Sequence, residues 1–457
     1  MSGRRWFGTD GIRGRVGGEA INESFFFRLG QAWGRFLEEK SGGGSGVLLA
    51  RDTRGSGIGL EAAFCAGLEK VGGKAETLGV VPTPVLCWQM THRGKEGAVM
   101  LTASHNPSSD NGIKFFRPPG RKLRDSEEEA LEAFLAEAAV PEGNLKEGWG
   151  AGEAEAKETW MGDWEAYAEA VAKNFAELDL SGRKVVLDTA NGATWAVAPA
   201  LLRKRGAELV LMGGSPDGQN INAETGSEFP GKLAERVVRE GADWGIAHDG
   251  DGDRVVLVDE TGAVIDGDQI LYLLATDDVA RGDLPKNTVV TTVQSNLGLD
   301  LSLGRRGVKV KRVSVGDRHV SEAMQAEGLR WGGESSGHVI CGDYQWTGDG
   351  MVAALAVLRV LERRGEPLSV AVRELQRVPQ VTSKREVPAK PPLEELRNLS
   401  GVIQEAEESL AGQGRVMVRY SGTEPVMRFL VEAPTQELAM EWRQRLETAL
   451  EEDWKGS

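Results

Sequence analysis

Three carboxylates stand on alternate residues in Asp-Gly-Asp-Gly-Asp-Arg, at Asp249, Asp251 and Asp253. Ionised carboxylates a few ångströms apart repel one another unless a cation lies among them. Ligand sets made only of oxygen suit a hard cation such as Mg²⁺ or Ca²⁺, and the intervening glycines leave room for the acids to converge. Arg254, which follows directly, carries a planar guanidinium that suits a phosphate group. The pattern predicts a metal site beside a phosphate, and a solvated acidic loop that holds no metal stays open as the alternative.

A calcium EF-hand loop is the rival interpretation of this segment. The three aspartates and Glu260 match four ligand positions of the EF-hand loop. That loop needs glycine at its sixth position for a sharp turn, and Arg254 stands there. Residues 242–247 and 255–258 flank the loop and have the pattern of buried strands, whereas helices flank an EF-hand. The EF-hand is therefore disfavoured, and we expect the acids on a loop at a strand end, where α/β proteins place their chemistry.

A serine follows directly on a predicted buried strand, within Thr-Ala-Ser-His-Asn-Pro at 102–107. At such a transition Ser104 would face solvent, and Pro107 would stop the strand from continuing. Taken alone, the pattern fits an ordinary Ser/Asn turn better than a catalytic serine. Asn-Gly-Ile-Lys-Phe at 111–115 predicts a hairpin turn that returns Lys114 to the same neighbourhood. Lys114 would then be either a proton-transfer group or a solvated surface lysine.

Two glycine-containing loops are further candidates for binding. Phe-Gly-Thr-Asp-Gly-Ile-Arg-Gly at 7–14 presents Arg13, a reasonable phosphate contact, but it matches neither a dinucleotide fingerprint nor a P-loop. Gly-Gly-Glu-Ser-Ser-Gly-His at 332–338 contains a formal match to the hydrolase nucleophile elbow. That elbow must lead into a helix, and here a strand-like segment follows. Its Glu, Ser and His are better suited to hydrogen bonds with sugar hydroxyls.

The loop Arg-Tyr-Ser-Gly-Thr-Glu-Pro at 419–425, followed by Arg428, groups hydroxyls, backbone N–H groups and two guanidinium groups. Such a loop can form a nest for a phosphate dianion. A polar turn between two strands is the alternative.

Composition narrows the class of protein. The chain has 457 residues, 40% of them hydrophobic and 27% charged, which is ordinary for a globular protein of several domains. Its three cysteines are widely spaced and odd in number, which predicts free thiols rather than a disulfide framework or a zinc site. No apolar run is long enough to span a bilayer, and the N-terminus lacks the apolar stretch of a signal peptide, so we expect a cytoplasmic protein. The net charge of −15 argues against nucleic-acid and membrane-surface roles.

Alternating strand-like and helical segments predict an α/β fold with helices covering the sheets. We expect three similar α/β domains with mixed sheets and a smaller C-terminal α+β domain, arranged around a central cleft. The predicted domains are residues 1–155, which carry the serine loop, 156–260 with the acidic loop, 261–377 with the sugar loop, and 378–457 with the phosphate loop. Residues 141–157 and 378–392 have the composition of linkers.

Together these loops resemble the α-D-phosphohexomutase superfamily, and the resemblance spans the whole chain in the family's domain order. The serine, metal, sugar and phosphate loops each occur once, one per predicted domain. Within the superfamily the chain most resembles the bacterial phosphoglucosamine mutase branch. The motifs that carry this resemblance are the segment at 7–14, Asn-Gly-Ile-Lys-Phe-Phe at 111–116, Ser-Asn-Leu-Gly at 295–298 and Val-Gly-Asp-Arg at 315–318.

The resemblance implies a role for each candidate residue. Ser104 would be a phosphoserine whose phosphoryl oxygen shares one Mg²⁺ with Asp249, Asp251 and Asp253. Arg13 and Arg254 would brace its phosphate, and His105 and Lys114 would transfer protons. Glu334 and Ser336 would bind the sugar ring. The substrate's non-reacting phosphate would lie against Arg419, Ser421, Gly422, Thr423 and Arg428.

The implied reaction is the interconversion of glucosamine 6-phosphate and glucosamine 1-phosphate through phosphoserine and a sugar 1,6-bisphosphate, which acts as intermediate and activator. A phosphomannomutase/phosphoglucomutase with the same mechanism is the alternative. Ser335 stands where this branch usually carries glutamine, which bears on substrate preference, and Tyr420 stands where lysine or proline is commoner. The expected partner is a hexosamine phosphate, with neither nucleic acid nor membrane, and a homodimer is one candidate assembly on which the sequence is silent.

Overall fold

The structure, a computed structural model, describes residues 5–8, 10–42, 46–140, 162–421 and 425–455. The chain divides into two compact units. The first comprises Met1–Val293 with Lys311–Val372, and the second comprises Gln294–Val310 with Arg373–Ser457. The predicted linker at 141–157 lies outside the described residues, and the four domain boundaries stay a prediction.

The strands follow one another in this order: β1 (Ile12–Arg15), β2 (Val47–Arg51), β3 (Ala75–Val80), β4 (Gly97–Leu101), β5 (Asp110–Arg117), β6 (Arg121–Lys122), β7 (Lys184–Asp188), β8 (Glu208–Met212), β9 (Trp244–His248), β10 (Val255–Val258), β11 (Val264–Ile265), β12 (Thr288–Thr292), β13 (Lys309–Val313), β14 (Trp331–Gly333), β15 (Val339–Cys341), β16 (Gln380–Glu386), β17 (Arg415–Tyr420) and β18 (Val426–Glu432).

The helices are α1 (Glu23–Ser41), α2 (Gly57–Lys70), α3 (Thr83–His92), α4 (Asp125–Glu137), α5 (Glu165–Asn174), α6 (Val197–Lys204), α7 (Gly231–Glu240), α8 (Gly267–Ala280), α9 (Leu297–Gly304), α10 (Asp317–Glu327), α11 (Gly350–Arg364), α12 (Leu368–Ala371), α13 (Arg397–Leu410) and α14 (Gln436–Lys455). None of these helices is long and apolar enough to cross a membrane. The cysteines Cys65, Cys87 and Cys341 are free thiols, as predicted.

The first sheet has the strand order β1–β5–β4–β2–β3, and β6 pairs with β5. Strand β2 is parallel to β3 and β4, whereas β5 is antiparallel to both β4 and β1. Helices α1, α2 and α4 share a buried apolar cluster with this sheet, in which Trp33 and Phe64 are fully covered. Helices α1 and α2 can approach closely because Gly30 and Gly67 have no side chain. A Cβ at either position would collide with the backbone of the other helix.

The second sheet has the order β11–β10–β9–β7–β8. Strand β7 is parallel to β8 and β9, and β10 runs antiparallel to β9 with Val255 opposite His248. The acidic loop therefore joins two buried antiparallel strands, which confirms its predicted place at a strand end. In the third sheet β14 lies between β12, to which it is parallel, and β15, to which it is antiparallel.

The second unit contains a sheet of order β16–β18–β17 in which both pairings are antiparallel. Its buried face packs against α13 and α14, with Phe429 and Val431 in the apolar cluster. The prediction that residues 378–392 form a linker is wrong, because Gln380–Glu386 is an edge strand paired with β18 over its whole length. The sequence Gln-Val-Thr-Ser-Lys-Arg-Glu is too polar to signal a strand, and pairing along one edge supplies what its composition lacks. The predicted fold class of α/β domains with mixed sheets and a smaller C-terminal domain is confirmed.

Candidate active site

The carboxylates of Asp249, Asp251 and Asp253 converge, as the alternating pattern predicts. Each is buried, and one oxygen of each lies within 4.8 Å of the others. Gly250 has to be glycine because a Cβ there would lie 2.5 Å from the carbonyl oxygen of Ser104. The left-handed backbone at Gly252, with φ of 73°, completes the tight turn. The loop therefore folds against the serine loop of the first sheet.

The electrostatics of this cluster fit a hard cation. Burial and the neighbouring carboxylates of Asp251 and Asp253 raise the pKa of Asp249 well above its ordinary value. Asp251 Oδ1 is buried and has no hydrogen-bond partner among the residues that the structure describes, and the buried Asp253 Oδ1 has only the longer ion-pair contact of 3.6 Å with His338 Nδ1. Buried polar atoms are nearly always hydrogen-bonded or bound to an ion. Two carboxylate oxygens that lack a hydrogen bond, in an all-oxygen cluster, fit a site for Mg²⁺.

Ser104 points into the acidic loop. Its Oγ donates a hydrogen bond of 2.6 Å to Asp249 Oδ2 and lies 3.4 Å from His105 Nδ1. The expectation that Ser104 faces solvent is wrong, since the residue is fully buried. Its φ of 52° is uncommon for a residue with a side chain, which indicates that the surroundings hold the backbone in a strained conformation.

Two buried side chains hold the serine loop in that conformation. Arg54 donates to the carbonyl oxygens of Ser104 at 3.0 Å and Asn106 at 2.7 Å, and Asp52 accepts from its Nε at 2.9 Å. Asn222 Nδ2 donates to the same two carbonyls, at 2.8 and 2.9 Å. Two segments thus hold the serine loop in place. Arg54 lies in the loop after β2 of the first sheet, and Asn222 lies in the loop after β8 of the second sheet.

Lys114 reaches the site by a route that differs from the prediction. Residues 111 and 112 form no turn but lie inside β5, where a Cβ at Gly112 would come within 2.6 Å of the Ile12 and Thr102 carbonyl oxygens. Glycine is needed here because β1 and β4 crowd β5 on both sides, not because the chain reverses. Strand β5, antiparallel to β4, nevertheless returns Lys114 to the serine loop.

Lys114 is buried among carboxylates, so the surface-lysine alternative is wrong. Its Nζ donates to Asp251 Oδ2 at 2.8 Å and to Asp253 Oδ2 at 3.0 Å, and lies 3.3 Å from Asp10. Burial works to lower the pKa of Lys114, but Asp10, Asp251 and Asp253 outweigh it and hold the pKa well above its ordinary value. Lys114 is therefore an ammonium that neutralises part of the acidic cluster.

Two arginines and one histidine complete this cluster. Arg13, on β1, forms an ion pair with Asp10, and the backbone N–H of Arg254 donates to Asp249 Oδ1 at 3.2 Å. Burial, together with the positive charges of Arg254 and Arg13, lowers the pKa of His105. His105 is accordingly a neutral imidazole near neutral pH, the form that can accept a proton.

The sugar loop begins where β14 ends. Glu334 accepts a backbone hydrogen bond from Gly316 at 3.2 Å, and Ser336 Oγ is buried with no hydrogen-bond partner among the described residues. Gly337, with φ of 89°, lets its carbonyl accept from the N–H of Val255 on β10 at 3.0 Å. His338 is buried, with its Nδ1 3.6 Å from Asp253 Oδ1. The first unit thus brings the sugar loop to the strand that follows the acidic loop.

The predicted phosphate loop belongs to the second unit. It connects β17 to β18, and Arg419 and Arg428 lie directly opposite each other on those strands. The buried Ser421 accepts at its carbonyl from Lys390 Nζ at 2.6 Å. Gly422 and Thr423 lie outside the described residues.

Several residues that contact this site were not singled out from sequence. Thr83, at the start of α3, donates from Oγ1 to Asp251 Oδ2 at 2.6 Å. Arg54 and Asn222 lie on loops whose patterns carry no chemical signature, and their role depends on long-range contacts. Asp10 lies within the glycine-rich segment at 7–14 and could have been found from that motif.

Comparison with known proteins agrees with this geometry. The chain matches the family Phosphoglucomutase/phosphomannomutase through its alpha/beta/alpha domain I at residues 4–141, domain II at 165–262, domain III at 266–378 and C-terminal domain at 381–449. The chain therefore belongs to the phosphoglucomutase/phosphomannomutase family and is a phosphohexomutase, an enzyme of the isomerase class.

Two named relatives with similar sequences belong to one branch of this family. The phosphoglucosamine mutase of Symbiobacterium thermophilum is 44% identical over 94% of each chain. That of Geobacillus kaustophilus is 42% identical over 97% of each chain.

Solved structures share the fold at low identity. A phosphoglucomutase/phosphomannomutase family protein from Burkholderia thailandensis has a TM-score of 0.79 at 23% identity, covering 98% of each chain. An N-acetylphosphoglucosamine mutase of Aspergillus fumigatus, solved with GlcNAc-6P and magnesium, has a TM-score of 0.63 at 17% identity, covering 99% of this chain and 97% of its own.

The clamp on the serine loop gives a testable consequence. Asn222→Asp keeps the size and the left-handed backbone, but it replaces Nδ2, which donates both hydrogen bonds, with an oxygen that repels the Ser104 and Asn106 carbonyls. We expect kcat to fall by about 100-fold, the effect of displacing a reacting group by about an ångström. Gln219→Glu, which adds the same charge at an exposed position of the same segment, should leave kcat unchanged. Equal kcat for Asn222→Asp and the wild type would show that the clamp does not position Ser104.

Proposed function

We propose that this enzyme interconverts glucosamine 6-phosphate and glucosamine 1-phosphate, with Ser104 as the phosphoryl carrier. The observation that carries the chemistry is the buried hydroxyl of Ser104, hydrogen-bonded at 2.6 Å to one of three convergent carboxylates. The choice of amino sugar rests on the phosphoglucosamine mutases that are 42 and 44% identical over nearly the whole chain.

In the proposed first half-reaction the bond between phosphorus and Ser104 Oγ breaks, and a bond forms to the free hydroxyl of the bound monophosphate. The product is a sugar 1,6-bisphosphate. This intermediate turns over and returns its other phosphoryl group to Ser104, which leaves the isomeric monophosphate. Each transfer needs a base that takes the proton of the attacking hydroxyl and an acid that protonates the oxygen from which the phosphoryl group departs.

His105 suits the base, because it is neutral near neutral pH and lies 3.4 Å from Ser104 Oγ. Lys114, held as an ammonium by three carboxylates that raise its pKa, suits a fixed positive charge better than proton transfer. Arg13 and Arg254 can offset negative charge on the phosphoryl group during transfer. A guanidinium group can donate two parallel hydrogen bonds to two oxygens of one phosphate.

The residues that would hold Mg²⁺ are Asp249, Asp251 and Asp253, with Ser104 as the fourth ligand through its phosphoryl oxygen. Once bound, the ion would offset negative charge on the transferring group. Asp251 Oδ1 and Asp253 Oδ1, which have no hydrogen bond among the described residues, support this assignment. Lys114 already occupies the other oxygens of these two carboxylates, so the ion and the lysine would share the cluster.

Substrate contacts follow from the other loops. We propose that Glu334 and Ser336 bind ring hydroxyls, and the unpartnered Ser336 Oγ supports this. The non-reacting phosphate would bind Arg419, Ser421 and Arg428, together with Gly422 and Thr423. Because the substrate enters with its phosphate on either end, contacts to phosphate and hydroxyls have to be nearly equivalent in both orientations.

A phosphomannomutase/phosphoglucomutase activity remains the second candidate, and Ser335 is the observation that favours it, since the amino-sugar branch usually has glutamine there. The deciding experiment compares kcat/KM for glucosamine 1-, glucose 1- and mannose 1-phosphate. We expect glucosamine 1-phosphate to be preferred by at least about tenfold, the scale of one changed polar contact. Preference for either neutral sugar would refute the proposed substrate.

The phosphoserine has its own test. Intact mass of the purified protein should show a fraction heavier by one phosphoryl group, and Ser104→Ala should abolish both that fraction and the mutase activity. The nearby Ser108→Ala is the control and should leave both unchanged. Full activity of Ser104→Ala would exclude the proposed carrier.

The metal assignment predicts that Asp251→Asn lowers Mg²⁺-dependent kcat by about 100-fold or more, because charge stabilisation by a metal is worth several kcal/mol. Chelation of the wild type should produce a loss that added Mg²⁺ restores. Asp259→Asn, a buried aspartate beyond β10 that accepts hydrogen bonds within its own turn, controls for loss of a buried charge. A Mg²⁺ response of Asp251→Asn identical to that of the wild type would rule out the site.

A further inference from the structure

Three cationic side chains form one row across the sheet of the second unit. Lys384 on β16 is directly opposite Arg428 on β18, and Arg428 is directly opposite Arg419 on β17. Directly opposite residues of antiparallel strands project from the same face of the sheet. The side chains of Lys384, Arg428 and Arg419 therefore stand side by side.

This row lies on the face of the sheet that points away from the apolar core. Met427 and Phe429, which flank Arg428 along β18, are buried in the cluster with α13 and α14. The open face instead lines a cavity of about 450 Å³. The polar and apolar side chains around it include Gln294, Thr382, Lys384, Met417, Arg419 and Arg428.

The middle row of this face consists of positively charged residues alone. Like charges directly opposite each other destabilise a sheet. Burial and the neighbouring Arg428 lower the pKa of Arg419, which is the expected sign of this repulsion. One row away the residues Thr382, Leu430 and Met417 carry no charge.

The carboxylates of this face stand outside the cation row. Glu432 lies two rows from the cations, on the far side of the uncharged row, and forms an ion pair with Arg415. Glu386 stands on the other side of the cation row, opposite Val426. A cavity floored by three adjacent cations is suited to an anion that carries more than one negative charge.

We propose that Lys384 is the third cation of the subsite that binds the non-reacting phosphate, and that it contacts the phosphate dianion of the hexose phosphate together with Arg419 and Arg428. The proposal rests on the function proposed above, which assigns that phosphate to the loop between β17 and β18. It adds a binding residue on β16, the strand that the sequence predicts to be a linker. A dianion has three terminal oxygens, and an ammonium on a flexible stem can reach the one that two guanidinium groups leave.

The proposal makes a directional prediction for kinetics. In either direction of the reaction the same subsite holds the phosphate that does not react. Lys384→Gln should therefore raise KM about tenfold for both the 1-phosphate and the 6-phosphate, which corresponds to loss of one charge-assisted hydrogen bond. The value of kcat should change by less than about threefold, because Lys384 does not contact the transferring group.

Arg385→Gln is a closely matched control. Arg385 is the next residue on the same strand, points to the opposite face and forms an ion pair with Glu447 at 2.6 Å. Removing it takes away the same charge one residue from the cavity, so its KM should equal that of the wild type. Lys384→Arg, which keeps the charge, should recover most of the affinity lost in Lys384→Gln.

Binding should be measured by calorimetry with the Ser104→Ala protein, which cannot turn over. The probes are glucosamine 6-phosphate and inorganic phosphate, each titrated into the Lys384→Gln and Arg385→Gln variants. We expect Lys384→Gln alone to weaken both ligands about tenfold. Equal affinities in the two variants would overturn the proposal. If glucosamine phosphates are poor substrates but inorganic phosphate binding still depends on Lys384, the proposed substrate fails and the subsite stands.

Discussion

Burial of three carboxylates side by side is the constraint on which the active site depends. Asp249, Asp251 and Asp253 would repel one another and disfavour the folded state if nothing compensated them. Compensation comes from Lys114 on the first sheet and from the hydroxyls of Ser104 and Thr83. The acidic loop is therefore stable only when the first domain is packed against it, so the same contacts that stabilise the cluster also assemble the catalytic site.

The serine loop shows how strain is stored beside that cluster. Ser104 adopts a left-handed backbone that a serine does not prefer, and Arg54 and Asn222 hold its carbonyl in place. Gly250 packs so closely on the same carbonyl that no side chain fits between them. Ser104, the proposed phosphoryl carrier, is thereby fixed from three directions, which is the preorganisation that phosphoryl transfer requires.

The second unit places like charges next to one another on its sheet. Its β-sheet exposes like charges in one row, an arrangement that costs stability in the absence of an anion. Functional sites commonly break a rule of local stability in this way, because a bound ligand offsets the cost. The two units thus differ in their charge patterns. The first has a buried carboxylate cluster with a compensating ammonium, and the second has a row of cations on its sheet.

The sequence alone determined the acidic loop, the serine loop, the class of chemistry and most of the strands and helices. Those features are local, because alternating carboxylates, glycines and apolar periodicity indicate the structure of a segment from a few neighbouring residues. The tertiary structure decided that Asn111 and Gly112 lie in a strand, that Ser104 is buried and that residues 380–386 pair with a sheet. It also revealed Arg54, Asn222 and Thr83 as contacts of the serine and acidic loops, and it placed Lys384 directly opposite Arg428. Each of these depends on a neighbour far away in the chain, and a short sequence pattern contains no information about which distant segment will pack against it.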